Sequence, residues 1–239
     1  MSNLPSLRLL FIGNSYTQRN DLPGMLATLA AAAPAVAAPD LGLPCAVATE
    51  RVIANGASLR LHWNAGVAGR RISEEAWDAV VLQEQSTLPL KNPRRYHENV
   101  RLFADRVREA PAGADPARVP ALVLYLTWAR RDAPETQPAY TEAARAIAGE
   151  VGAQIAPVGV AWEAVRTSPG APGLFAPDGS HPSPAGTYLA ACVMYATVFR
   201  HTPVGLPVPT VCGLGSEHAE LLQTAAWRTH QKFVDGIAG

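Results

Sequence analysis

Three side chains stand out for what they could do together: Ser15 in "FIGNSYT", and Asp178 and His181 in "DGSH". A serine hydroxyl is a poor nucleophile until a base removes its proton, and an imidazole with an ordinary pKa near ~6.5 suits that task. The imidazole in turn needs an acceptor on its second nitrogen, which fixes the tautomer and stabilises the imidazolium. Asp178, three residues before His181 in one tight loop, can supply it without help from a distant segment. The oxyanion formed by such an attack needs hydrogen-bond donors. Candidates are the backbone N–H groups of Ser15 and of Gly56, in "IANGASL", and a side-chain amide from "LQEQST".

Taken singly, each piece has a plainer reading. Ser15 can be a turn residue or a helix cap, Gly56 a turn glycine, and "DGSH" a short motif that chance also produces. The case for hydrolysis rests on their joint occurrence, and that depends on the elements holding them.

Leu9 to Ile12, extended back toward Leu7, is an apolar run of strand length. Asp21 is placed to cap a helix in which Leu22, Leu26 and Leu29 keep helical spacing. "AVATERVIANG" reads as a second strand, and Ala79 to Leu82, apolar throughout, as a third. An unbroken apolar strand is what a parallel sheet covered on both faces requires. "VPALVLYLTWAR" and "AQIAPVG" read as the fourth and fifth strands. "PRRYHENVRLFADRVREA", "ETQPAYTEAARAIAGEVG", "AGTYLAACVMYATVFR" and the tail from Ser216 have helical spacing, whereas "HWNAGVAGRR" reads as a loop. The alternation predicts an α/β protein: a mostly parallel five-stranded sheet in a three-layer α/β/α sandwich. Ligands of such sheets bind beyond the carboxyl ends of the strands. Ser15, Gly56, Gln83 to Ser86 and Trp128 all fall at those ends.

The 239 residues fit one domain, 1–239, with no repeat or linker to divide them. Lys plus Arg balance Asp plus Glu at 20 each, so no electrostatic footprint for nucleic acid or an anionic membrane is expected. Cys45, Cys192 and Cys212 form no CxxC pair and read as buried or free thiols of a reducing compartment. No segment reads as a secretory signal or a membrane span, and the expected location is cytoplasmic.

The order of motifs resembles that of the SGNH (GDSL-like) hydrolases. "FIGNSYT" is similar to the first block of that family, with Ser15 at the nucleophile position and Asn14 where many members carry aspartate. "IANGASL" is similar to the second, with Gly56 as the glycine donor, and "DGSH" to the fifth, DxxH. The third block departs: GxND is replaced by "LQEQST", closer to the Gln-containing block of some carbohydrate acetylesterases. Gln83 is therefore the first choice for the remaining oxyanion donor, and Gln85 the reserve. The resemblance implies a flavodoxin-like fold and a serine esterase acting on small-acyl esters, O-acetyl groups on carbohydrates first. It implies no metal and no organic cofactor, and a small-molecule or carbohydrate ester as partner.

Asn14, beside the serine, is an expected substrate contact. Trp128 either lines the acyl or leaving-group pocket or closes the edge of the core, and Arg130 either holds a polar substrate group or faces solvent. The remaining histidines read as solvated or satisfied. The competing function is a carbohydrate- or ester-binding module with a degenerate site, which the missing GxND favours and the complete Ser/His/Asp set opposes. Nucleotide-binding glycine loops and the GxSxG elbow are absent from the sequence.

Overall fold

The apolar runs of the chain pair side by side into one sheet. In the computed structural model, which describes residues 6–33, 46–109 and 119–236, five parallel strands are ordered β2-β1-β3-β4-β5. They are β1 (Ser6–Gly13), β2 (Ala46–Ile53), β3 (Ala79–Leu82), β4 (Ala121–Tyr125) and β5 (Gln154–Ala156). Ile12 is level with Val52 on one side and Leu82 on the other, so the ends of β1, β2 and β3 open at one height.

Alternation along the strands divides the core into two. Leu9, Phe11, Val81, Val123 and Tyr125 face one layer, formed by α2 (Leu22–Ala31), α8 (Val158–Arg166), α9 (Pro184–Phe199) and α10 (Ser216–Asp235). Leu10, Ile12, Val80, Leu82 and Leu124 face the other. That layer holds α3 (Leu59–Ala65), α4 (Val67–Glu74), α6 (Pro93–Arg108) and α7 (Gln137–Val151). Two single-turn helices, α1 (Ser15–Gln18) and α5 (Leu88–Lys91), follow β1 and β3 directly. This is the three-layer α/β/α sandwich expected from the sequence. Its strand order is the flavodoxin-like one, with the topological switch point between β1 and β3.

The segment "HWNAGVAGRR" is helical, not a loop. Ser58 caps α3 by accepting from the Leu61 N–H at 3.3 Å, and Gly66, at φ 73°, turns the chain into α4. Ala68 and Ile72 of α4 bury against the sheet, but one helix split by a glycine hides its periodicity. Cys192 and Cys212 are buried and free, with burial pushing the Cys212 thiol up to about 11, while Cys45 lies outside the described residues. Among the described residues no helix is long and apolar enough to cross a membrane.

Candidate active site

The site is assembled at the switch point, from the loops after β1, β2 and β3 and the loop before α9. β1 ends in Gly13, and the chain turns at once into α1. Asn14 caps that turn: its Oδ1 accepts from the Tyr16 N–H at 3.1 Å, and its backbone carbonyl accepts from Thr17 and Gln18. Ser15 is thereby set at the first helical position. Its own N–H, like that of Gly56, makes no hydrogen bond among the described residues. Gly56 sits at φ 66°, a left-handed turn that a side chain disfavours, and a Cβ there would meet nothing within 4 Å. Two uncommitted backbone donors therefore border the serine, as an oxyanion site needs.

His181 reaches Ser15 across 166 residues of sequence, with Nε2 2.8 Å from Oγ. On the far side of the ring, Nδ1 lies 2.7 Å from Asp178 Oδ2. Donation from Nδ1 to the carboxylate leaves Nε2 as the acceptor of the serine proton. Asp178 Oδ1 accepts from the backbone N–H groups of Ser180 and His181, each at 2.9 Å, which closes the loop around the carboxylate. Those N–H groups, Ser180 first, and the imidazole hold its carboxyl far below the usual carboxylate range. Asp178 is thus a fixed anion behind the ring at any pH at which the ring can act as a base.

The predicted third donor requires correction. Gln83 is buried, 1% exposed, and does not line the cavity at Ser15. Its Oε1 accepts from the Asn14 N–H at 2.9 Å and from Thr17 Oγ1 at 3.1 Å, and its Nε2 donates to the Glu84 carbonyl. Every polar group of that amide is committed to propping the serine turn. The prop fits because residue 13 has no side chain: a Cβ on Gly13 would lie 2.7 Å from Gln83 Oε1 and 2.8 Å from Thr17 Oγ1. Gln85, the reserve, does line the cavity. Its Oε1 is fixed by the N–H and hydroxyl of Thr87 at 3.0 and 3.2 Å, and its NH₂ end makes no hydrogen bond among the described residues.

Asn14 lines the cavity at Ser15, whereas Trp128, expected to contact substrate, is absent from its walls. The Asn14 side chain is buried, and its Nδ2 donates to the Ala57 carbonyl at 3.0 Å, tying the serine turn to the Gly56 loop. Trp128 is 1% exposed and lies stacked between Tyr16, at 4.9 Å, and Trp162, at 3.8 Å. Its Nε1 donates to the Ser180 carbonyl at 3.0 Å. Of its two readings the structural one holds: Trp128 is a pillar under the loop that carries His181. Arg130 lies at the rim of the cavity.

Other supports have no signature in the sequence. His62 is buried in α3 and donates from Nε2 to the Gly13 carbonyl at 2.8 Å, while burial lowers its pKa. Glu84 is buried with Oε1 accepting from the Leu59 and Gln85 N–H groups and Oε2 from Asn99 Nδ2. Burial raises its pKa against those bonds. Tyr16 and Ser180 join hydroxyls at 2.6 Å. Apart from the bond between Glu84 and its neighbour Gln85, these contacts join segments distant in sequence, so no local spacing encodes them.

The resulting cavity is about 660 Å³, within the range of small-molecule sites, and Ser15, Gly56, Gln85, Arg130 and His181 are among its walls. A larger groove of about 1270 Å³ lies along α7 and α8 and holds none of these groups.

No protein-family model and no curated protein matches the chain. Solved structures do. A protein from Slackia heliotrinireducens assigned to the SGNH hydrolases is 30% identical with a TM-score of 0.63, and the match covers 80% of this chain and 98% of that one. A DUF4886 family protein from Bacteroides uniformis has a TM-score of 0.71 at 19% identity, over 93% of this chain and 94% of that one. The acetylxylan esterase Axe2 from Geobacillus stearothermophilus has a TM-score of 0.52 at 18% identity, over 86% and 97%. The latter two likenesses speak for the fold alone. Identity of 30% across nearly the whole of the Slackia protein goes further: the chain belongs to the SGNH hydrolase family.

Proposed function

We propose that this protein is a serine esterase that cleaves small-acyl esters, acetyl esters of carbohydrates foremost. The observation that carries the reading is the unbroken hydrogen-bond chain from Ser15 Oγ through His181 to Asp178, at 2.8 and 2.7 Å, opening on a cavity. Ser15 Oγ attacks the ester carbonyl carbon while His181 Nε2 takes its proton. The oxyanion is held by the N–H groups of Ser15 and Gly56 and by the amide of Gln85. Collapse breaks the bond to the alcohol oxygen, which receives the proton from His181, and leaves an acyl-serine. Water then enters by the same steps, with His181 again as base, and frees the acid.

The polar lining, with Asn55, Gln85, Ser86 and Arg130, favours a hydroxylated alcohol over a long hydrocarbon. An acetylxylan esterase among the structural neighbours agrees with an acetyl group. The binding-module reading has less support, because a ligand-binding site does not need a serine, an imidazole and a carboxylate in hydrogen-bonded series.

The test is hydrolysis of p-nitrophenyl acetate, butyrate and octanoate by wild type and Ser15→Ala, beside labelling with a fluorophosphonate. Turnover and label that both vanish in Ser15→Ala, with acetate preferred, are expected. Equal turnover by the two proteins would overturn the mechanism.

A further inference from the structure

The walls of the cavity at Ser15 hold two guanidinium groups, those of Arg19 and Arg130, and no carboxylate. Asp178 stands behind the imidazole with both oxygens turned to its own loop. The chain as a whole is neutral, so this local excess of positive charge is not a by-product of a basic protein.

The two arginines also lack the partners that occupy many others. Arg51, Arg71, Arg101 and Arg166 each meet a carboxylate within hydrogen-bond distance. Arg19 is exposed and makes no ion pair among the described residues. The carboxylate nearest Arg130 is that of Asp132, at 3.6 Å, with the two side chains 45% and 80% exposed. That distance is too long for a hydrogen bond, and solvent screens so open a pair. A guanidinium presents a rigid planar fork matched to carboxylate and phosphate oxygens, and such charge-assisted pairs are the strong ones.

Position tells which half of the substrate Arg130 meets. Arg130 Nη1 lies 3.5 Å from Ser180 Oγ, and Ser180 precedes His181. In the esterase reading, on which this inference rests, the imidazole hands its proton to the departing alcohol, so the alcohol half lies on the His181 side. We propose that the preferred substrates are esters whose alcohol carries an anionic group, a carboxylate or a phosphate, received by Arg130 with Arg19 as the second cation. An ester of a sugar acid or of a phosphorylated polyol has this form.

The test compares kcat/KM for four acetyl esters in two pairs: O-acetyl glucuronate against its neutral methyl ester, and O-acetyl glycerol phosphate against O-acetyl glycerol. At least one anionic ester is expected to exceed its neutral counterpart on the order of tenfold. That ratio is expected to fall in Arg130→Gln, and to fall in wild type at 1 M NaCl, where the Debye length is about 3 Å. Which ratio is raised separates carboxylate from phosphate. Serine-dependent hydrolysis of p-nitrophenyl acetate with both ratios near one would overturn the charge preference and leave the esterase standing. A raised ratio that survives Arg130→Gln would overturn the role of Arg130. No serine-dependent hydrolysis of any ester would overturn the esterase reading and this inference with it.

Discussion

Two glutamines two residues apart separate a structural prop from the proposed oxyanion donor, and replacing each in turn tests the division. Gln83→Met keeps the length of the side chain and removes its polar atoms. The Asn14 N–H, 2.9 Å from Gln83 Oε1, and the Glu84 carbonyl then lose their partners in a buried place. The Thr17 hydroxyl, 3.1 Å away, can rotate to seek another acceptor. Each buried group left unpaired costs about 1–3 kcal/mol, so a loss of roughly 3 kcal/mol is expected. In a chain of 239 residues this lowers Tm by roughly 6–12 °C, at about 2–4 °C per kcal/mol. Gln85→Ala removes an amide that the fold does not bury and leaves Tm within about 2 °C. By the oxyanion argument it lowers kcat by about 10²–10³. The assays are thermal unfolding by circular dichroism and steady-state hydrolysis of p-nitrophenyl acetate. A Gln83→Met protein with unchanged Tm and depressed kcat, beside a fully active Gln85→Ala, would refute the assignment.

Asp178→Asn is expected to cut kcat by about 10³–10⁴ through the wrong imidazole tautomer, with little change in Tm, because its side chain is nearly half exposed. Trp128→Phe removes the indole N–H bonded to the Ser180 carbonyl but keeps a ring between Tyr16 and Trp162, and a loss of about 1–2 kcal/mol measured by urea unfolding is expected. Trp128→Ala empties the slot and is expected to lose about 3–5 kcal/mol. Burial lowers the pKa of His62, so the folded protein releases its proton more readily than the unfolded chain. The corresponding stability is present above the unfolded value near ~6.5 and is lost as pH falls through the folded one. Glu84, whose pKa is raised, acts in the opposite sense, losing its contribution as pH rises through the folded value. The prediction is therefore a difference: the fall in Tm below pH 6.5 is shallower in His62→Gln than in wild type, and parallel curves would count against it.

The sequence by itself determined the fold class and singled out three candidate catalytic side chains. Alternating apolar runs of strand and helix length leave a covered parallel sheet as the economical solution, and the burial of Leu9 with Phe11 on one face and Leu10 with Ile12 on the other follows from the period of a strand. Ser15 and the Asp178–His181 pair were readable because each rests on local spacing: a strand end followed by a turn, and a carboxylate three residues before a histidine in one loop. Tertiary structure alone decided which amide meets the cavity. Beyond Leu82 the strand ends and its alternation no longer governs, so Gln83 turns in to the Asn14 N–H, a buried donor that requires an acceptor, while Gln85 is held outward by Thr87. The same holds for Trp128, claimed by a slot between Tyr16 and Trp162, which are distant in sequence. Hydrogen bonds and stacking across loops depend on where the sheet brings those loops, and no window of the sequence contains both partners.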